Sequence, residues 1–204
     1  MIELEVTSLT KHFGKENVLS DLNFSFGSAV IGIAGKNGSG KSTLLRCLSG
    51  LLKANHGEIS WKINEKKLTK SELRRCSGYA APYIELYEEL TVNENLNFIQ
   101  KLRSAENNSR PYLEDTLKEA NADHLSDQFY GDLSTGQRQR IKLVSALIHK
   151  PKILFLDEPG SNLDSEGRDL IEKIVTKYRK PNYMVVLASN IDQELQLCDQ
   201  IIEL

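Results

Sequence analysis

The stretch Gly35-Lys36-Asn37-Gly38-Ser39-Gly40-Lys41-Ser42 constrains this chain more than any other, because it stands directly behind the apolar run Ala29-Val30-Ile31-Gly32-Ile33-Ala34. Glycine loses more backbone entropy on ordering than any other residue. Three glycines in eight residues therefore weaken a fold unless the ordered loop does something in return. The apolar run reads as a buried strand, and Ser42 to Leu48 reads as a helix that stops near Gly50. Strand, glycine-rich turn and helix in that order point to an α/β architecture with the turn at the end of the strand.

The spacing Gly35-x-x-x-x-Gly40-Lys41-Ser42 is that of a phosphate-binding P-loop. Its glycines let successive backbone N–H groups turn inward around a polyphosphate, and the helix start adds partial positive charge. On this reading Gly35, Lys36, Asn37, Gly38, Ser39, Gly40 and Thr43 line the phosphates. Lys41 reaches the β and γ phosphates, and the Ser42 hydroxyl ligates Mg²⁺. A second element supports it. Ile153-Leu154-Phe155-Leu156 is a continuous apolar run, as a parallel strand buried on both faces requires. It ends in Asp157-Glu158-Pro159. Alone, this could equally be a solvated acidic turn. Behind a P-loop, Asp157 is expected in the Mg²⁺ shell and Glu158 as the general base.

With 204 residues the chain suits one domain, 1–204, with a helical insertion over about 80–133. Leu4–Val6, Leu22–Phe26, Gly57–Ile63, Met184–Ala188 and Ile201–Leu204 read as further strands. Within the insertion, Thr91-Val92-Asn93-Glu94 resembles a capping box, with Leu96, Ile99 and Leu102 at helical spacing after it. A second helix begins near Pro111 and carries Leu113, Leu117 and Ala120, and Asn107-Asn108-Ser109-Arg110 between the two reads as a surface loop. Gly136–His149 and Ser165–Tyr178 are amphipathic helices. A net charge of −2 gives no basic field for nucleic acid. No apolar run approaches the roughly 18 residues of a membrane span, and the N-terminus lacks the regions of a signal peptide. Cys47, Cys76 and Cys198 are odd in number and lack metal-ligand spacing, as incidental thiols in a reducing cytoplasm would. His12, His56, His124 and His149 form no ligand-spaced cluster and read as surface or loop residues.

Leu133-Ser134-Thr135-Gly136-Gln137 on its own is a plain serine N-cap. Together with the P-loop, Asp157-Glu158, and Ser161-Asn162-Leu163-Asp164 it gives a motif order that resembles the nucleotide-binding subunits of ABC (ATP-binding cassette) transporters over essentially the whole chain. LSTGQ is similar to the family signature LSGGQ, with Thr135 replacing one glycine. The resemblance implies a P-loop NTPase core with a mostly parallel sheet, an N-terminal antiparallel β subdomain and an inserted helical subdomain. It implies that Phe13 stacks on adenine, and that Ser134, Gly136 and Gln137 meet the ATP held by a second copy or a related ATPase subunit in a head-to-tail dimer. It also implies a separate transmembrane partner, with this chain peripheral on the cytoplasmic face of the cell membrane.

Two positions depart from the family pattern. The Mg²⁺-sensing glutamine follows a run like Gly-Tyr-x-Pro-Gln; here Gly78-Tyr79-Ala80-Ala81-Pro82-Tyr83 puts Pro82 in its place. Where the family has its switch histidine, this chain has Asn190, which can donate a hydrogen bond but cannot take up a proton or positive charge. Three functions compete. The first is an ATPase subunit driving a transporter, of export type because Leu86–Leu96 looks like the small export cassettes. The second is a nucleotide-gated regulatory module with little turnover. The third, a DNA-repair-type cassette, requires long coiled-coil insertions that this chain lacks.

Overall fold

The computed structural model describes residues 1–103 and 110–204; of the loop expected at Asn107-Asn108-Ser109-Arg110 the first three residues lie outside the described residues, and Arg110 opens a helix instead. The chain opens with two long strands, β1 (Ile2–Phe13) and β2 (Glu16–Gly27), then β3 (Val30–Ala34) and α1 (Lys41–Leu48). Next come β4 (His56–Ile63), β5 (Lys66–Lys67), α2 (Lys70–Cys76) and β6 (Ser77–Ala80). Two helices follow, α3 (Val92–Arg103) and α4 (Arg110–Glu119), then short 3₁₀ turns at Asp123–Leu125 and Tyr130–Asp132. The remainder is α5 (Thr135–Leu147), β7 (Ile153–Asp157), α6 (Ser165–Tyr178), β8 (Met184–Ser189), α7 (Asp192–Leu195) and β9 (Gln200–Glu203).

The strands form two sheets. One is antiparallel in the order β2-β1-β4-β5; the other is parallel in the order β6-β7-β8-β3-β9. The parallel sheet is buried on both faces, and side-chain alternation divides its residues between two cores. Ile31, Ile33, Ile153, Phe155, Met184 and Val186 face α1 and the antiparallel sheet. Leu154, Leu156, Val185 and Leu187 face α5, α6 and the helices before them. Trp61 of β4 joins the two sheets. Its ring meets Phe155 edge-on at 5.7 Å, and its indole N–H donates to the Leu48 carbonyl at 2.9 Å.

The capping box expected before α3 forms: the Glu94 N–H donates to Thr91 Oγ1, and the Thr91 N–H donates to Glu94 Oε2. Leu113, Leu117 and Ala120 pack into the core from α4 and the residue after it. Of the histidines, His56 is exposed on β4 and His124 is exposed in a 3₁₀ turn, as surface residues. His12 needs correcting, because it lies half-buried on β1, and so does His149, which is half-buried with its Nε2 2.9 Å from the Ser77 carbonyl oxygen. Among the described residues, no helix is long and apolar enough to cross a membrane.

Candidate functional site

In the parallel sheet Ala34 at the end of β3 stands level with Ser189 of β8, and Asp157 of β7 stands level with Ala188. The carboxyl ends of three adjacent strands therefore meet where open parallel sheets receive ligands. Between β3 and α1 the loop turns through Gly35, Gly38 and Gly40, whose φ angles are 154°, 83° and 103°. A Cβ on Gly35 would stand 2.4 Å from Ser39 Oγ and 2.8 Å from the Leu204 carbonyl oxygen, so the turn admits only glycine there. A groove of about 330 Å³ runs along this loop between Val18, Asn37, Lys41, Ser42, Thr43 and Glu158.

Lys41 is 4% exposed. Its Nζ donates to the carbonyl oxygens of Gly35 at 3.0 Å and Lys36 at 3.3 Å, and lies 3.8 Å from Glu158 Oε1. The Ser42 hydroxyl donates to Asp157 Oδ1 at 2.9 Å. Burial pushes the Asp157 carboxyl above the usual aspartate range, against the pull of hydrogen bonds from Ser42 and Tyr83. A cation beside that carboxylate would relieve the burial. Ser39 Oγ is buried in the loop with no hydrogen-bond partner among the described residues. An orphaned hydroxyl, a buried cation and a buried carboxylate bonded to a serine fit a polyphosphate with Mg²⁺. Among the described residues no group of three or more His, Cys, Asp or Glu side chains is arranged to hold a metal. Mg²⁺ is commonly held by one or two protein oxygens plus phosphate and water.

Glu158 sits at φ 44°, a left-handed conformation that costs a non-glycine residue about 1–3 kcal/mol. Its N–H is held by the Ala188 carbonyl at 2.8 Å, which aims the side chain back over the loop. Asn190, just past β8, donates from Nδ2 to Asn37 Oδ1 at 3.1 Å and so reaches the loop directly.

The residue facing Asp157 from the segment after β6 is not the one the motif count selects. Pro82 turns its carbonyl to Lys142 Nζ at 2.6 Å, and the neighbouring Tyr83 hydroxyl donates to Asp157 Oδ2 at 3.0 Å. The Arg46 guanidinium lies over the Tyr83 ring at 4.4 Å, and its Nε donates to the hydroxyl at 3.1 Å. Tyr79 OH also bonds Tyr83 OH, and burial pushes both phenols above the ordinary tyrosine range. Lys142 of α5 further pairs with Glu85 Oε1 at 2.7 Å, and Tyr130 OH donates to Glu85 Oε2 at 3.1 Å. Sequence reasoning missed Arg46, Tyr79 and Tyr83 as neighbours of the site. For Arg46 a signal existed: four residues after Ser42 on α1, it shares that helix face.

The remaining candidates do not line this groove. Phe13 ends β1, is 49% exposed, and carries Lys11 Nζ 4.9 Å above its ring. Ser134 and Gln137 form a capping box at the start of α5: Ser134 Oγ accepts from the Gln137 N–H at 3.3 Å, and Gln137 Oε1 accepts from the Ser134 N–H at 2.9 Å. Gly136 passes so close to Asn162 that an added Cβ would stand 3.3 Å from its carbonyl oxygen.

Comparison with known proteins gives the family. The chain is 32% identical over 98% of its length to the sulfate/thiosulfate import ATP-binding protein CysA of Nitrosomonas europaea, but spans only 57% of that protein. It is 30% identical over 95% of its length to the glutamine transport ATP-binding protein GlnQ of Geobacillus stearothermophilus, covering 83% of it. Its structure is similar to the dimeric post-hydrolysis state of the ATP-binding cassette MJ0796 bound to ADP and Pi, with a TM-score of 0.84 and 28% identity over 98% of this chain and 94% of that one. Residues 19–161 match the family model described as ABC transporter, and the chain belongs to that family.

Proposed function

We propose that this chain is the ATP-binding and hydrolysing subunit of a membrane transporter, 1–204 forming one ATPase domain with a helical subdomain inserted over about 80–133. The observation that carries the reading is the convergence of Lys41, Ser42, Asp157, Glu158 and Asn190 at the carboxyl edge of β3, β8 and β7. In this reading the N–H groups of Gly35 to Thr43 hold the phosphates, and Lys41 leaves its carbonyl partners to meet the β and γ oxygens. Ser42 and Asp157 hold Mg²⁺, which when bound offsets charge on the phosphates. Glu158 takes a proton from the attacking water, and Asn190 donates a neutral hydrogen bond to the γ-phosphate side. The half-exposed Phe13 ring stacks on the adenine.

Ser134, Gly136 and Gln137 complete the site from a second copy or a related subunit, in a head-to-tail pair. Tyr87, Phe98, Leu102 and Phe129 are exposed apolar residues around α3, with Tyr87 and Phe98 in edge-to-face contact at 5.7 Å. They support docking of a separate transmembrane subunit, which would keep the chain on the cytoplasmic face of the membrane. On the direction of transport, Leu86–Leu96 argues for export, while CysA is named for import. A second reading, a regulatory module with little turnover, is favoured by the neutral Asn190 alone.

Glu158→Gln tests both. It is expected to keep ATP binding and to lower phosphate release by about 100- to 10,000-fold, the usual share of a general base. Wild-type release that already equals the mutant's supports the regulatory module, and full release in the mutant moves the base elsewhere.

A further inference from the structure

The hydrogen bonds around Tyr83 have only one consistent direction. Arg46 has donors and no acceptor, so its Nε–H must give to the Tyr83 oxygen. The Asp157 carboxylate accepts only, so the Tyr83 proton is committed to Oδ2. Tyr83 then has no proton left for Tyr79, and the Tyr79 hydroxyl must donate to it. The phenol oxygen thus takes two donors and gives one, with both lone pairs spent.

On the reading that Ser42 and Asp157 hold Mg²⁺, we propose that Tyr83 is a positioning residue that acts on the metal through Asp157 and never as a ligand itself. A carboxamide at this place has an oxygen free for the metal; the Tyr83 oxygen has none. The phenol instead fixes the carboxylate plane. Oδ2 is tied back to Tyr83, and Oδ1 is turned to Ser42, the side from which Ser42 and Asp157 would hold the metal. Donors aligned behind one another polarise the chain, so Tyr79 and Arg46 strengthen the bond that Tyr83 gives. The arrangement is anchored from behind: the carbonyl of Pro82, one residue back, is held by the buried Lys142 of α5. Groups that orient a metal ligand from outside change metal affinity by about 10- to 100-fold when removed.

The experiment follows Mn²⁺ in place of Mg²⁺, reading free Mn²⁺ by electron paramagnetic resonance during titration into the full chain with ATP. ATP binding in EDTA is measured in parallel by equilibrium dialysis. Tyr83→Phe keeps the ring under Arg46 and deletes only the hydroxyl. It is expected to weaken Mn²⁺ binding by about 10- to 100-fold while ATP binding in EDTA stays within about twofold. Tyr79→Phe, which leaves Tyr83 in place, should weaken Mn²⁺ binding by about two- to fivefold. Mn²⁺ affinity in Tyr83→Phe within twofold of wild type overturns the proposal. So does an equal loss of ATP binding with and without metal, which would make the hydroxyl a support for the loop alone. Failure of the wild-type chain to take up Mn²⁺ with ATP is a different result: it removes the metal assignment of Ser42 and Asp157.

Discussion

At the scale of single residues, Lys41 and Asn190 make opposite tests. Lys41 is the buried cation among the phosphate-loop candidates, and its charge is now shared among two carbonyls and Glu158. Lys41→Ala should abolish productive ATP binding, read as loss of saturable binding in a nucleotide titration with Mg²⁺; unchanged affinity and turnover would remove the P-loop assignment. Asn190 already contacts Asn37, so an imidazole in its place stands within reach of the same loop. Catalysis of phosphoryl transfer rests on positioning and charge. Asn190→His is therefore expected to raise turnover at saturating ATP by up to about tenfold, a 1.4 kcal/mol lower barrier, with ATP affinity nearly constant. A fall in turnover would show a site adapted to asparagine.

Among the elements, those with strong periodicity were legible and those built by distant contacts were not. α5 and α6 announce themselves by spaced apolar residues, and β7 and β8 by unbroken apolar runs. β1 and β2 are longer than their readable cores, because register shifts between Val6 and His12 break the alternation that marks a strand. α2 has a capping box at Thr69 and Glu72, a local signal in the sequence, but its seven residues expose most of their side chains. The site divides the same way. The residues from Gly35 to Thr43 and the Asp157-Glu158 pair are contiguous and readable. Tyr83 meets Asp157 from 74 residues away, and no local pattern encodes that contact. The same is true of Trp61, whose importance lies in joining the two sheets. Trp61→Ala is expected to cost about 3–5 kcal/mol in urea unfolding, through loss of the Phe155 contact and the unpaired Leu48 carbonyl. A loss under about 1 kcal/mol would mean that the antiparallel sheet stands without it.

For the whole molecule the decisive quantity is association. Ser134 and Gly136 lie at a helix start and do not line the Lys41 groove, so in the proposed function a second molecule completes the site. Glu158→Gln with ATP and Mg²⁺ should therefore run as a dimer in light scattering after size exclusion, and as a monomer without nucleotide. Adding Ser134→Arg to the same chain should return it to a monomer. A dimer that survives this change would place the contact elsewhere. The hydrogen bonds of Lys41 also bear on the loop itself. With the ammonium on the Gly35 and Lys36 carbonyls, one side chain braces the turn from within. In the proposed function, meeting a phosphate then asks that side chain to rotate and leaves the backbone of the turn as it is. A loop held in this way would hand the pace of the proposed cycle to the meeting and parting of two subunits.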